Sequence, residues 1–248
     1  MHRMVPDSGL ERWTRMMGSW HGLLADGDAA LGMPRTWRNT TWRDADLEPL
    51  LRSVVPKHAP NIMSMRAAVE RNDMARYAAL YRDGGVYADL DVELVDAARF
   101  AEMASDAAVT LPSEKGRLVG QSIMMSPRPQ AAFWLHLIDW LVAHYDPACY
   151  EPLNTGPDAV TAFWNAVCAE YHNGSVIITH GLMTGPITRH HATGSWTRVA
   201  GSVEHRIRSA KACPQKRFAH LDEARCGVPR PAPRGRIPHV QRTRAPSQ

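Results

Sequence analysis

The chain has 248 residues, a formal charge of +4, 44% hydrophobic and 22% charged residues, the make-up of an ordinary globular protein with enough length to bury a core in one large or two small domains. No apolar run approaches the roughly 20 residues that a membrane span needs, and the first thirty residues contain Asp7, Glu11, Asp26 and Asp28 with no signal-peptide core. A cytoplasmic protein with no transmembrane span is the expectation.

In chain order, the first strongly marked element is a helix over Ala67–Tyr81, which lacks Gly and Pro, is rich in Ala, Arg, Leu and Met, and sets Met74, Ala78 and Tyr81 on one stripe. Asp83-Gly84-Gly85 stops it, because glycine accepts the left-handed backbone of a helix C-cap. A strand is expected over Val86–Val92. Asp89 and Asp91 are two apart, so an extended strand would send both to one face. Two converging carboxylates raise each other's pKa unless a cation joins them, and a hard divalent ion, Mg²⁺ or Mn²⁺, is the natural occupant.

Further along, 130–145 (with Phe133, Trp134, Leu137, Ile138 and Leu141) and 157–172 read as amphipathic core helices whose tryptophans serve packing rather than sugar stacking. Cys149, Cys168, Cys213 and Cys226 have no C-x-x-C spacing. In a cytoplasmic chain they are expected to be reduced, with Cys168 a small buried apolar residue; a zinc site from Cys213, His220, Cys226 and His205 is a minor alternative. Residues 203–248 hold eleven Lys/Arg against Glu204, Asp222 and Glu223, a net +8 that leaves residues 1–202 at −4. Within that stretch 228–248 carries five prolines and five arginines and reads as a disordered basic tail, either merely solvated or in contact with an acidic surface.

The stretch Asp73-x-x-Arg76-Tyr77, Leu80-Tyr81-x-x-Gly84-Gly85-x-Tyr87-x-Asp89-x-Asp91 resembles the sugar-binding region of the DXD-containing glycosyltransferases. It is most similar to glycosyltransferase family 32, that of the initiating α-1,6-mannosyltransferase, with clostridial glucosylating toxins as more distant relatives. Three further patches agree: His190-His191-Ala192-Thr193-Gly194-Ser195-Trp196 resembles the family's late His-His-x-x-Gly-Ser-Trp signature, Thr155-Gly156-Pro157 its Gly-Pro turn, and Trp42-x-Asp44-x-Asp46 its upstream segment. One departure is the start, where Met1-His2-Arg3-Met4 stands for only the second half of the family's first strand.

The resemblance implies an α/β protein with a GT-A type nucleotide-sugar-binding fold, a central mixed sheet flanked by helices, over residues 1–205, followed by an extension at 206–227 and the tail at 228–248. It implies Asp91 as metal ligand with His190 or His191, and Asp89 as a contact to the donor ribose or to the metal's surroundings. Asp73 and Arg76 would reach hydroxyls of the transferred sugar, with Tyr77 and Gly85 beside them, although Tyr77 also reads as packing under the strand. Ser195 and Trp196 would close over the diphosphate, with Gly181, Gly185 and Gly194 as hinges. The expected activity is retaining transfer of a sugar from a UDP- or GDP-sugar to a glycan, protein or small-molecule hydroxyl, with Mn²⁺ or Mg²⁺ as cofactor and Asp89, Asp91 and Trp196 carrying the chemistry. The alternatives are a non-catalytic sugar-nucleotide or glycan-binding relative, and an Arg-tailed protein that binds an acidic polymer.

Overall fold

The computed structural model describes residues 1–5, 10–20, 38–104, 108–114, 116–149, 151–171, 173–183, 185–191, 213 and 220–226. Its strands are β1 (His2–Met4), β2 (Thr40–Trp42), β3 (Gly85–Ala88), β4 (Val92–Leu94), β5 (Val109–Glu114), β6 (Leu118–Val119), β7 (Ile123–Ser126), β8 (Val176–Thr179) and β9 (Thr188–His190). The helices are α1 (Thr14–Gly18), α2 (Asp44–Val54), α3 (Ala59–Met63), α4 (Ala68–Asp83), α5 (Ala97–Ala104), α6 (Ala132–Ala143), α7 (Glu151–Asn154), α8 (Pro157–Val167) and α9 (Glu223–Cys226). Seven strands form a mixed sheet in the order β2-β1-β3-β7-β5-β6, with β8 also on β5, while β4 and β9 make a separate antiparallel pair. This is the mixed α/β architecture expected, a central sheet flanked by helices. Among the described residues no helix is long and apolar enough to cross a membrane.

Both faces of the sheet are covered, and the alternation of side chains along β3 and β7 shows it. Tyr87 and Met124 join the core under α2, α4, α6 and α8, whereas Val86, Ala88, Ile123 and Met125 join a second core with Trp20 and Phe100. Strands buried on both faces lose the polar-apolar alternation of a half-exposed strand and read as apolar runs.

Helix α4 is the keystone of the larger core. Its start is fixed by the Ala67 N–H donating to the Glu70 carboxylate at 3.0 Å, and Glu70 also receives the Tyr145 hydroxyl at 3.1 Å and the Asn154 amide at 3.1 Å. From Asp73 to Leu80 every residue is buried, and each large apolar side chain so enclosed contributes about 1.5–3 kcal/mol. Gly84 ends the helix at φ +67°, and a Cβ there would stand 2.7 Å from the Arg128 carbonyl carbon. A Gly84→Ala change therefore meets both a left-handed backbone and a collision with main chain.

The helices expected over 130–145 and 157–172 are present as α6 and as α8 continued by a 3-10 turn at Cys168–Tyr171. Trp134 and Trp164 are buried in the core, consistent with packing. The strand expected over 86–92 is instead two strands: β3 ends at Ala88, and Asp89 to Asp91 form a turn closed by the Val92 N–H on the Asp89 carbonyl at 3.1 Å. The remnant of a first strand is a three-residue strand, but it lies inside the sheet, parallel to both β2 and β3.

The cysteine expectation is overturned. Cys149 is bonded to Cys213 and Cys168 to Cys226, with Cα–Cα distances of 5.5 and 5.4 Å, and no free cysteine remains. The partners are 64 and 58 residues apart, so no local spacing could have announced them. Because Cys213 and Cys226 belong to different disulfides, they hold no thiolate for zinc, and the alternative metal site falls with the reduced state. Cys168 is buried as expected, but as half of a bridge.

Candidate active site

The site is assembled where α4 passes beneath the end of β3. Asp73 and Arg76 lie one turn apart on α4, and their side chains meet at 2.7 Å, with 0% and 8% of each exposed. The sequence alone would allow a surface pair worth a few tenths of a kcal/mol; the observed pair is sealed in the core. Asp73 also accepts from the Thr155 hydroxyl at 2.8 Å. Arg76 extends past it, donating to the Asp89 carboxylate at 3.2 Å and to the Gln121 carbonyl at 3.3 Å, with its guanidinium 4.7 Å from the centre of the Tyr87 ring. The Tyr87 hydroxyl donates to the same Asp89 oxygen at 2.6 Å. Burial opposes the charge on Arg76, yet Tyr87, Asp73 and Asp89 around it hold its pKa above the ordinary value.

Beyond Asp89 the chain turns and delivers Asp91 to the β4–β9 pair. Val92 lies opposite His190, and the His190 imidazole comes to 3.2 Å from the Asp91 carboxylate. Burial pushes the Asp89 carboxyl upward in pKa, and the charge of Asp91 pushes the same way, against the pull of Arg76. Burial disfavours a charged His190, but the hydrogen bond to Asp91 and the charges of Asp91 and Asp89 outweigh it and raise its pKa.

One ligand atom from each of Asp89, Asp91 and His190 lies within 4.8 Å of the others. Two carboxylates and an imidazole suit Mn²⁺ or Mg²⁺ in charge and in donor type, and Asp89 and His190 are part-exposed. The residues present therefore fit a divalent cation.

The other expected site residues are placed as follows. His191, one residue past the end of β9, turns away from the cluster and meets the Glu93 carboxylate at 2.9 Å, on the side opposite His190 as alternation continued from the strand requires. Tyr77 is fully buried; its hydroxyl is shared between the Gln121 side chain and the Thr155 carbonyl, and its ring stacks on Trp134 at 6.1 Å. Gly85 opens β3 while Asp89 follows its end, about 13 Å apart at strand rise, so the two are not brought together. Gly181 and Gly185 pack so closely that a Cβ on Gly185 would collide with the Gly181 carbonyl oxygen. Gly194, Ser195 and Trp196 lie outside the described residues.

Tyr87, Gln121 and Thr155 were not singled out as site residues. Tyr87 was open to discovery, since it precedes Asp89 by two and shares its face. Gln121 carries no sequence signal, because only the pairing of β3 with β7 brings it near.

Residues 8–107 match a family model described as "Glycosyltransferase sugar-binding region containing DXD motif". The match covers 100 of the chain's 248 residues. Asp73, Arg76, Asp89 and Asp91 fall inside that match; His190 falls outside it. Among solved structures the chain is similar to the ligand-free glycosyltransferase domain from the YGT toxin, at 12% identity and a TM-score of 0.33, covering 58% of this chain and 43% of that one. It thus spans less than half the length of that solved chain. No curated protein matches it. Within the matched residues, then, the two aspartates leave opposite ends of a turn, and a histidine about a hundred residues later comes to 3.2 Å from the second.

Proposed function

We propose that this protein is a metal-dependent, retaining glycosyltransferase that moves a sugar from a nucleotide diphosphate donor to an acceptor hydroxyl. The observation that carries this reading is the convergence of Asp89, Asp91 and His190 on one point, directly beyond a buried Asp73–Arg76 pair, with both aspartates inside the stretch that matches a glycosyltransferase sugar-binding region. Retention follows the likeness of the 66–96 stretch to family 32.

The difficult moment in such a transfer is departure of the nucleoside diphosphate as negative charge grows on it. A bound Mn²⁺ or Mg²⁺ would supply Lewis-acid stabilisation of that charge. Asp91 and His190 would hold the ion, with Asp89 as third ligand or as a hydrogen-bond acceptor from the donor ribose. Arg76 sets the orientation of Asp89 through their 3.2 Å contact. Asp73, which is fully buried, acts through Arg76 by fixing its guanidinium, and the rim of Arg76 is left for sugar hydroxyls. Ser195 and Trp196 are assigned hydrogen bonds to the departing phosphate, which would lower the barrier by stabilising charge where it develops.

The acceptor is a hydroxyl on a glycan, protein or small molecule, and the net positive charge of the sequence after residue 203 would favour an acidic one. The two disulfides fit an oxidising compartment better than the cytoplasm. The test is a panel of UDP- and GDP-sugars incubated with the protein, with Mn²⁺ or with chelator, reading released nucleoside diphosphate and the anomeric configuration of any product by NMR. Metal-dependent release from one donor with a retained anomer is expected. Silence across the panel, together with no thermal shift from UDP or GDP, overturns the reading.

A further inference from the structure

Two arginines are buried beside β3, and they are treated very differently. Arg76 has carboxylate and carbonyl acceptors. Arg3, in the middle of β1, is 1% exposed, yet among the described residues none of its three guanidinium nitrogens has a hydrogen-bond partner. Its guanidinium carbon lies 5.5 Å from the centre of the Trp20 ring.

An enclosed guanidinium without acceptors costs several kcal/mol, and nothing nearby among the described residues relieves it. The adjacent His2 faces the other side of the sheet, where its ring meets the Gly84 carbonyl at 2.8 Å and the Trp42 indole. Asp89 is near enough for its charge to act on Arg3, but its Oδ1 already receives both Arg76 and the Tyr87 hydroxyl. Burial brings the Arg3 pKa down to about 10, with the charges of Tyr87 and Asp89 acting the other way; the group stays cationic at neutral pH.

Strand register places Arg3 at the right level for a ligand. His2 lies opposite Tyr87 on the parallel neighbour, so Arg3 is level with Ala88, one residue before Asp89 and the turn that carries Asp91. The ends of parallel strands are where α/β sheets receive phosphate-bearing ligands, and the fork of a guanidinium matches two phosphate oxygens at once.

We propose that Arg3 is an anion seat, completing its hydrogen bonds only when a diphosphate group lies between β1 and the Asp89–Asp91 turn. This rests on the glycosyltransferase reading for the identity of the ligand, a nucleoside diphosphate, but the anion seat itself does not. Arg3 would then share the diphosphate with the residues that hold the cation, and its unfilled state in the free protein is a cost recovered on binding.

The experiment compares the wild-type chain with Arg3→Met and Arg3→Lys by calorimetric titration of inorganic pyrophosphate and of UDP and GDP at fixed Mg²⁺, and by thermal melting without ligand. Arg3→Met should bind pyrophosphate about ten- to a hundredfold more weakly while melting at or above the wild-type temperature, because it removes an unpaired buried charge. Arg3→Lys, which keeps charge but not the fork, should fall between the two, and it decides the matter if the methionine variant does not fold. Unchanged pyrophosphate affinity in the variants, or no pyrophosphate binding by the wild type, overturns the proposal. Pyrophosphate bound through Arg3 without UDP or GDP binding would instead sink the nucleotide-sugar reading and leave the anion seat standing. UDP and GDP binding with affinities indifferent to Arg3 would sink the seat alone.

Discussion

Asp73 and Arg76 stand on the middle of a sixteen-residue helix and are almost wholly enclosed. Asp89, Asp91 and His190 stand on a turn and at the end of a three-residue strand, and Asp89 and His190 are reached by solvent. In the first group the opposite charges are paired within the protein, although the buried Nε of Arg76 has no hydrogen-bond partner among the described residues, while the second leaves two carboxylates and an imidazole crowded together. The contrast separates a foundation from a working surface: interactions that are complete without a ligand contribute to folding, and interactions left strained by like charge contribute to binding.

If that division holds, substitutions should split cleanly between stability and turnover. Arg76→Met removes the partner of a fully buried carboxylate, so it should cost about 3–5 kcal/mol in denaturant unfolding and take activity with it. A variant as stable as the wild type would show that Asp73 is not held by Arg76. Asp91→Asn should do the reverse, lowering metal-dependent donor turnover about a hundred- to a thousandfold while leaving the unfolding midpoint unchanged or slightly raised, since one of two repelling charges is gone. Loss of stability in that variant would place Asp91 with the foundation.

The adjacent histidines sharpen the same division over a single residue step. His190→Ala should weaken Mn²⁺ binding about tenfold or more, measured by titration with thermal-shift readout. His191→Ala, whose ring meets Glu93 on the outer side, should leave metal affinity unchanged and alter stability by no more than about 0.5 kcal/mol. Equal effects from the two would mean that strand β9 does not select between them.

What was legible in the sequence was what depends on near neighbours in the chain. Helix α4, its glycine stop and the strand after it follow from propensity and backbone freedom over about twenty residues. Asp89 and Asp91 were matched to a shared site by the wrong geometry: an extended strand was expected to align them, and a turn does so instead. His190 was singled out beside His191, but the choice between them required the β4–β9 register. Gln121 and Thr155 reach Tyr77 and Asp73 only through tertiary packing. Arg3 looked like part of a degraded strand, and only its enclosure without acceptors marks it out. The cysteine pairs failed for the same reason, being long-range contacts with no local trace.

Those pairs interleave along the chain, in the order 149, 168, 213, 226, with first joined to third and second to fourth. The covalent graph of this region is therefore not a line, and His190 sits inside both of its closed loops. A single peptide cleavage anywhere between Cys149 and Cys226 leaves one connected molecule. A protease nick there would pass unseen on a non-reducing gel and appear as two fragments only after the sulfurs are separated.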